Sequence, residues 1–342
     1  MKALLKTNLR RYFRHPLTLA ALLCSFAYGL MKGAESAWIG RGIALHPDDF
    51  WFMLILFAQS AVLAVIITSQ HKDGIFRNKV IAGKSKGRIL LAEMLAALFV
   101  SAALLAAFLL PFGLIVYKAV IALPVKNMLT ALLSLLLIFF GCAALTVLLC
   151  THQRGRILAL MLSMGAVFGL YALNYFCDDA LHTPEKYVTE VRLTRAEGEC
   201  SYGFNSDGSF TVELPKDSGV HWNEQNILVG KDGKPVDYSG NPLPEYAEPV
   251  QKERPNPKYI GGPARIALSV LDAANPVRPL NAVISQFNYA DNPEEDETVK
   301  QDIEQYRALM YALLPQYLPW QLGMLAALTL AGWLLFRRKE LS

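Results

Sequence analysis

Between positions 71 and 88 the chain reads HKDGIFRNKVIAGKSKGR, and its Gly83-Lys84-Ser85 is the tail of a sequence that wraps nucleotide phosphates in backbone amides. The full phosphate loop needs Gly-x-x-x-x-Gly-Lys-Ser/Thr between a strand and a helix. Here Asn78 holds the first glycine position, a long apolar run precedes the loop and no acidic strand for magnesium follows. Nucleotide binding by this chain is therefore not expected. What the stretch does hold is charge: Lys72, Arg77, Lys79, Lys84, Lys86 and Arg88 against Asp73 alone. Other reactive types are scattered. His15, His46, His71, His152, His182 and His221 stand singly, without the spacing that gathers metal ligands. No serine–histidine–acid or paired-carboxylate signature accompanies them. No catalytic, metal or cofactor residue is expected, and the chain does not read as an enzyme.

The elements that position these groups are apolar. Of 342 residues 53% are hydrophobic and the mean hydropathy is +0.28, more apolar content than one soluble globule holds. It falls in runs at about 16–31, 50–68, 89–117, 128–150, 157–176 and 317–336. A membrane helix needs roughly 20 residues to cross about 30 Å of hydrocarbon, and all but the first run meet that length. The fold class predicted is an α-helical polytopic membrane protein with six transmembrane helices and a large α+β extracytoplasmic domain between helices 5 and 6.

Charge sets the orientation, since cytoplasmic loops carry the Lys and Arg excess. Lys2, Lys6, Arg10, Arg11 and Arg14, the cations of 71–88, Arg154 and Arg156, and Arg337, Arg338 and Lys339 all fall on one side of a six-span arrangement. The stretch 177–315 falls on the other, with 13 Lys and Arg against 23 Asp and Glu. Both termini are expected in the cytoplasm of a multi-pass cell-membrane protein. The net charge of +4 hides two opposite halves, so nucleic acid is not an expected partner.

In chain order, 1–15 predicts an amphipathic helix in the inner interface, with Leu5, Leu9, Tyr12 and Phe13 opposite Lys2, Lys6, Arg10 and Arg14. A plain basic flank is the alternative, and a signal peptide is disfavoured by the absence of a small-residue cleavage site. Residues 16–176 hold five spans. Gly29 and Gly33 in the first, and Gly165 and Gly169 in the fifth, offer small-xxx-small faces for close helix approach. Gln59 and Ser60 lie mid-span in the second, where hydrocarbon tolerates no unpaired amide. They serve either a helix-to-helix hydrogen bond or a polar patch on a substrate path. Glu93 is the only carboxylate in any span, about one turn inside its boundary. An anchoring ion pair with Arg10, Arg11 or Arg14 is preferred over a substrate or proton site. The short link 151–156 predicts antiparallel packing of the fourth and fifth helices.

From 177 to 315 the composition turns polar and is long enough for a domain. Strands are expected at 187–193, 209–214 and 226–229, with turns at 205–208 and 231–234, then a proline-rich connector at 242–257. Helical patterns follow on both sides of Pro276, and a last helix from about 293 leads into the sixth span, so that 316–342 is that span and its tail. Cys24, Cys142 and Cys150 sit in apolar runs as small buried side chains, whereas Cys177 and Cys200 fall where oxidation permits a disulfide.

The loop and the topology together resemble the permease subunit of an ABC-2-type ABC transporter. Gly74, Arg77, Asn78, Lys79, Gly83 and Ser85 fit that family's pattern after the second span, Gly-x-x-Arg-Asn-Lys, then Gly, then Ser or Thr and a basic residue; Lys86 stands where arginine is commoner, and Arg88 closes the stretch. Asn256-Pro257-Lys258-Tyr259, then Gly261 or Gly262 and a helix ending near Asp272, resembles an outer segment of one branch. The resemblance implies that 71–88 forms a coupling helix on a separate ABC ATPase subunit, which holds the ATP and magnesium. It also implies a second permease subunit, identical or different, and outward movement of a hydrophobic or amphipathic substrate through membrane lipid. A membrane-anchored sensor or assembly protein with an extracytoplasmic ligand-binding domain is the rival, and a membrane-embedded enzyme a distant third.

Overall fold

The computed structural model describes residues 1–38, 44–45, 49–116, 124–153, 155–191, 202–204, 210–212, 221–222, 228–231, 236, 250–286, 289–290 and 297–338. Six of its helices are long and apolar enough to cross a membrane, which makes this a multi-pass membrane protein. Contacts divide the chain into two compact units, Met1–Leu181 with Gly262–Ser342, and His182–Gly261.

The first unit opens with α1 (Lys2–Arg14) and α2 (Pro16–Trp38), followed by α3 (Asp49–Lys72), the short α4 (Ile75–Ile81) and α5 (Lys86–Ile115). Next come α6 (Val125–His152) and α7 (Arg156–His182). After the second unit follow α8 (Gly262–Ala273), α9 (Leu280–Ser285) and α10 (Glu297–Arg338). The core lies where α3, α5, α6 and α10 meet, and Leu63, Ile67, Ile89, Val100, Leu135 and Ile138 are fully or almost fully buried there. Two prolines, Pro315 and Pro319, sit inside α10 without ending it. In a membrane helix the carbonyls they leave unpaired find other partners, so the helix tolerates them.

The two expected glycine faces behave differently. At Gly29 a side chain would run into the Phe108 carbonyl and Pro111, and at Gly33 into Ile115, so α2 and α5 approach as closely as the small residues allow. Nothing stands within 4 Å of the corresponding point at Gly165 or Gly169. The expectation that α6 and α7 pack as neighbours holds only at the short link. There Cys150 Sγ lies 3.2 Å from Ser163 Oγ. Farther along, α7 presents Phe168, Tyr175 and Phe176 outward, because a short link brings two helix ends together without fixing the angle between them.

Helices α8 and α9 belong with the membrane helices, which corrects the expected 177–315 domain. Asn275 Nδ2 donates to Leu170 O at 2.7 Å, Arg265 donates to Leu181 O at 2.6 Å, and Val277, Leu280 and Val283 are fully buried. Arg278 pairs with Asp272 at 2.7 Å and covers the Tyr317 ring. Beyond Pro276 the apolar pattern of Val277, Leu280 and Val283 is an inner face packed on the bundle, whereas Ile266, Val270 and Leu271 of α8 are exposed.

The second unit contains strands and, among its described residues beyond the end of α7, no helix. The α+β description is therefore not met. In the first unit β1 (Ala44–Leu45) pairs antiparallel with β8 (Tyr289–Ala290); in the second, β2 (Lys186–Val191) pairs antiparallel with β7 (Val250–Pro255), with Lys186 opposite Pro255 and Val191 opposite Val250. β3 (Tyr202–Phe204) pairs with β4 (Phe210–Val212), and β5 (His221–Trp222) with β6 (Leu228–Val229). The second half of the expected connector 242–257 is thus a strand, held by a partner some sixty positions away that local propensity does not reveal. The turns expected at 205–208 and most of 231–234 lie outside the described residues, as does Cys200. Cys177 sits one turn before the end of α7, its Sγ 3.9 Å from Leu268 O.

Candidate functional site: the basic loop and its buried ion pair

The loop 71–88 folds as one compact corner. Gly74 takes a left-handed φ of 65° between α3 and α4, and Gly83 one of 75° between α4 and α5, conformations that cost a side-chain-bearing residue about 1–2 kcal/mol. Between them α4 makes two turns with two distinct faces. Phe76, Lys79 and Val80 share the inward face by their i, i+3, i+4 spacing. Phe76 is 1% exposed, its ring 4.4 Å from that of His71 and 5.8 Å from that of Phe336 on α10. Arg77, Asn78 and Ile81 point outward, as does Lys84 beyond the helix, and Ile81 is 72% exposed. Ser85 precedes α5 in extended backbone; Lys86 Nζ donates to Arg337 O at 3.3 Å, and Arg88 is exposed.

Lys79 reaches inward to the carboxylate of the third span. Its Nζ lies 2.7 Å from Glu93 Oε1, with the Glu93 side chain fully buried and that of Lys79 10% exposed. The same ammonium donates to Asn8 Oδ1 at 2.9 Å and to Gln70 Oε1 at 3.3 Å. Glu93 Oε2 accepts from Gln70 Nε2 at 3.0 Å and from the Tyr12 hydroxyl at 3.2 Å. Arg11 adds a bond to Gln70 Oε1 at 3.0 Å. A buried charge is tolerable only when paired and hydrogen-bonded. Here both charges are, by residues from α1, α3, α4 and α5.

The expected anchors for Glu93 therefore need correction. Arg10 and Arg14 instead line a shallow groove of about 360 Å³ with Thr7 and His15. Arg11 reaches the network only through Gln70. An arginine on α1 stands at the helix surface, whereas Lys79 is delivered to the carboxylate by the α4 corner. The sequence pattern did not single out Asn8 or Gln70, and it placed Tyr12 only on the apolar face of α1 rather than as a donor to Glu93. Asn8 and Tyr12 are four apart, so they share the buried face of α1, and a polar Gln70 at the end of a 24-residue apolar helix was the available signal. Burial, and then the charge of Glu93, push the Tyr12 phenol well above its usual range, so it stays a donor to that carboxylate. Burial and the nearby Arg156 push His15 down.

Gln59 and Ser60 are both fully buried against α6. Gln59 Nε2 donates to Phe139 O at 3.0 Å, and Thr146 Oγ1 donates to Ser60 Oγ at 3.4 Å. Within one chain they serve helix-to-helix bonding. Among the described residues no group of three or more His, Cys, Asp or Glu is placed to hold a metal ion. No protein-family model, curated protein or solved structure matches the chain.

Proposed function

We propose that this chain is the permease subunit of an ABC-2-type exporter in the cell membrane, with both termini and the 71–88 corner cytoplasmic and residues 182–261 outside. A separate ATPase subunit supplies the energy and a second permease subunit completes the path for a hydrophobic or amphipathic substrate. The observation that carries this reading is the two-faced α4. Its inner face is fixed by Phe76 and by the Lys79–Glu93 pair, while Arg77, Asn78 and Ile81 stand outward as a rigid, basic, partly apolar surface. A loop that merely keeps positive charge on the inner side needs no such corner. A docking element that passes motion from a partner into the spans needs both the outward contact and the inward bond.

The test is purification of the full chain from its native membranes, with identification of its companions and assay of ATP hydrolysis in nanodiscs. An ABC ATPase that co-purifies, and whose turnover drops on Arg77→Glu while the pair stays assembled in the membrane, supports the reading. A chain recovered without any ATPase, binding ligand through residues 182–261, replaces it with the membrane-anchored sensor.

A further inference from the structure

Away from the Lys79–Glu93 network, α5 and α10 enclose a groove of about 680 Å³, within the size range of small-molecule sites. We propose that it binds one anionic phospholipid, with an acyl chain along the groove and the phosphate at Arg88. Leu90, Leu91, Met94, Leu322, Leu325 and Leu330 make up half of its lining residues. It lies within two helices of membrane-crossing length, and Leu91, Leu322 and Leu330 are 45%, 54% and 57% exposed. The open side therefore faces hydrocarbon.

One end is different in kind. Ser85 just before α5, Gly87 and Arg88 within it and Trp333 from α10 line it. Gly87 is there because any side chain would collide with the indole of Trp333, so the ring closes the end of the groove against bare backbone. Arg337 lies over that ring at 5.5 Å, and Lys86 bonds to the Arg337 carbonyl, which brings further cations to the same rim. Arg88 makes no ion pair with any described carboxylate, and no carboxylate lines the groove. Glu93, one turn along α5, is turned away and committed to Lys79.

An apolar trough in the membrane plane, closed by a tryptophan and rimmed by arginine, complements an amphiphile with an anionic head. Free phosphate has no use for the leucine wall, and a zwitterionic head gains less from the cations. If the basic rim is cytoplasmic, it also meets the leaflet richest in anionic lipid. The inference concerns α5 and α10 alone and holds whether or not the chain is a permease.

Native mass spectrometry of the full chain, titrated with phosphatidylglycerol or phosphatidylcholine, tests it. One phosphatidylglycerol is expected to be retained in preference to phosphatidylcholine. Arg88→Gln lowers that retention about fivefold, the worth of one juxtamembrane cation. Ala326→Trp, which fills the groove without touching a charge, abolishes it, and Lys72→Gln, on the exposed end of α3, leaves it unchanged. Equal loss on Lys72→Gln shows general attraction to basic charge and overturns the site. So does retention that survives both groove variants, or disulfide trapping of Leu91→Cys to a second copy of the chain with lipid absent.

Discussion

Lys79 Nζ and Glu93 Oε1 stand 2.7 Å apart, so the short helix of the basic loop is bonded directly to a fully buried carboxylate of α5. Removing either partner leaves the other buried and uncompensated, which costs about 3–5 kcal/mol. Lys79→Met or Glu93→Leu alone should lower the thermal unfolding midpoint in detergent sharply. The double variant should recover much of the loss, since two apolar groups leave no charge stranded. Single and double variants unfolding alike would mean that the two charges do not meet.

Tyr12 holds the same carboxylate from α1. Tyr12→Phe keeps the ring and removes one donor, for a loss of about 1–3 kcal/mol, smaller than the loss on breaking the ion pair. Because Tyr12 ties α1 to α5, the variant should also speed tryptic cleavage at Arg10 and Arg14 relative to Arg88. Unchanged cleavage would show that Leu5, Leu9 and Phe13 hold α1 without it.

His15 makes this end of the protein sensitive to acid. Its neutral ring accepts a bond from the Leu17 amide at 3.3 Å, and burial and Arg156 lower its pKa from 6.5. The unfolded chain therefore binds a proton that the folded one refuses. The stabilisation from this group is full above pH 6.5 and is lost as pH falls through and below that value. The unfolding midpoint should drop between pH 7.5 and 5.5, and the drop should be smaller in His15→Gln.

The glycine pairs give a comparison inside one protein. Gly29→Ala places a methyl against the Phe108 carbonyl and should part α2 from α5, whereas Gly169→Ala meets open space. The first should destabilise the purified chain and the second should not. Loss of a dimeric species on Gly169→Ala, with monomer stability intact, would assign that face to a second subunit.

What was legible in the sequence is what a local pattern can carry. Apolar runs, all but the first of membrane length, marked the six helices, and Gly74 and Gly83 lie at the corner that they turn with positive φ. The rest depends on partners far apart in the chain. Glu93 called for a cation, but several basic residues lay in reach of the same membrane face, and only folding of α4 chose Lys79 over the arginines of α1. β7 hides in a proline-rich stretch because its partner is β2. The helices around Pro276 read as part of an outer domain until Asn275 and Val277 are seen bonded and buried against the bundle.

The outward face of α4 carries the last prediction, and two mild substitutions separate docking from charge alone. Arg77→Lys keeps the charge and loses the planar fork of donors that a carboxylate or carbonyl pair on a partner recognises. Gly83→Ala keeps every charge and strains a backbone held at φ 75° by about 1–2 kcal/mol, tilting α4 with no polar group altered. Neither residue contributes a side chain to the Lys79–Glu93 network, so insertion and yield should match the parent. If α4 couples the spans to an ATPase, substrate-stimulated hydrolysis by the reconstituted complex should fall several-fold in both. If the loop is only a positively charged flank, both variants will turn over ATP and substrate as the parent does, and the coupling role fails even where an ATPase co-purifies.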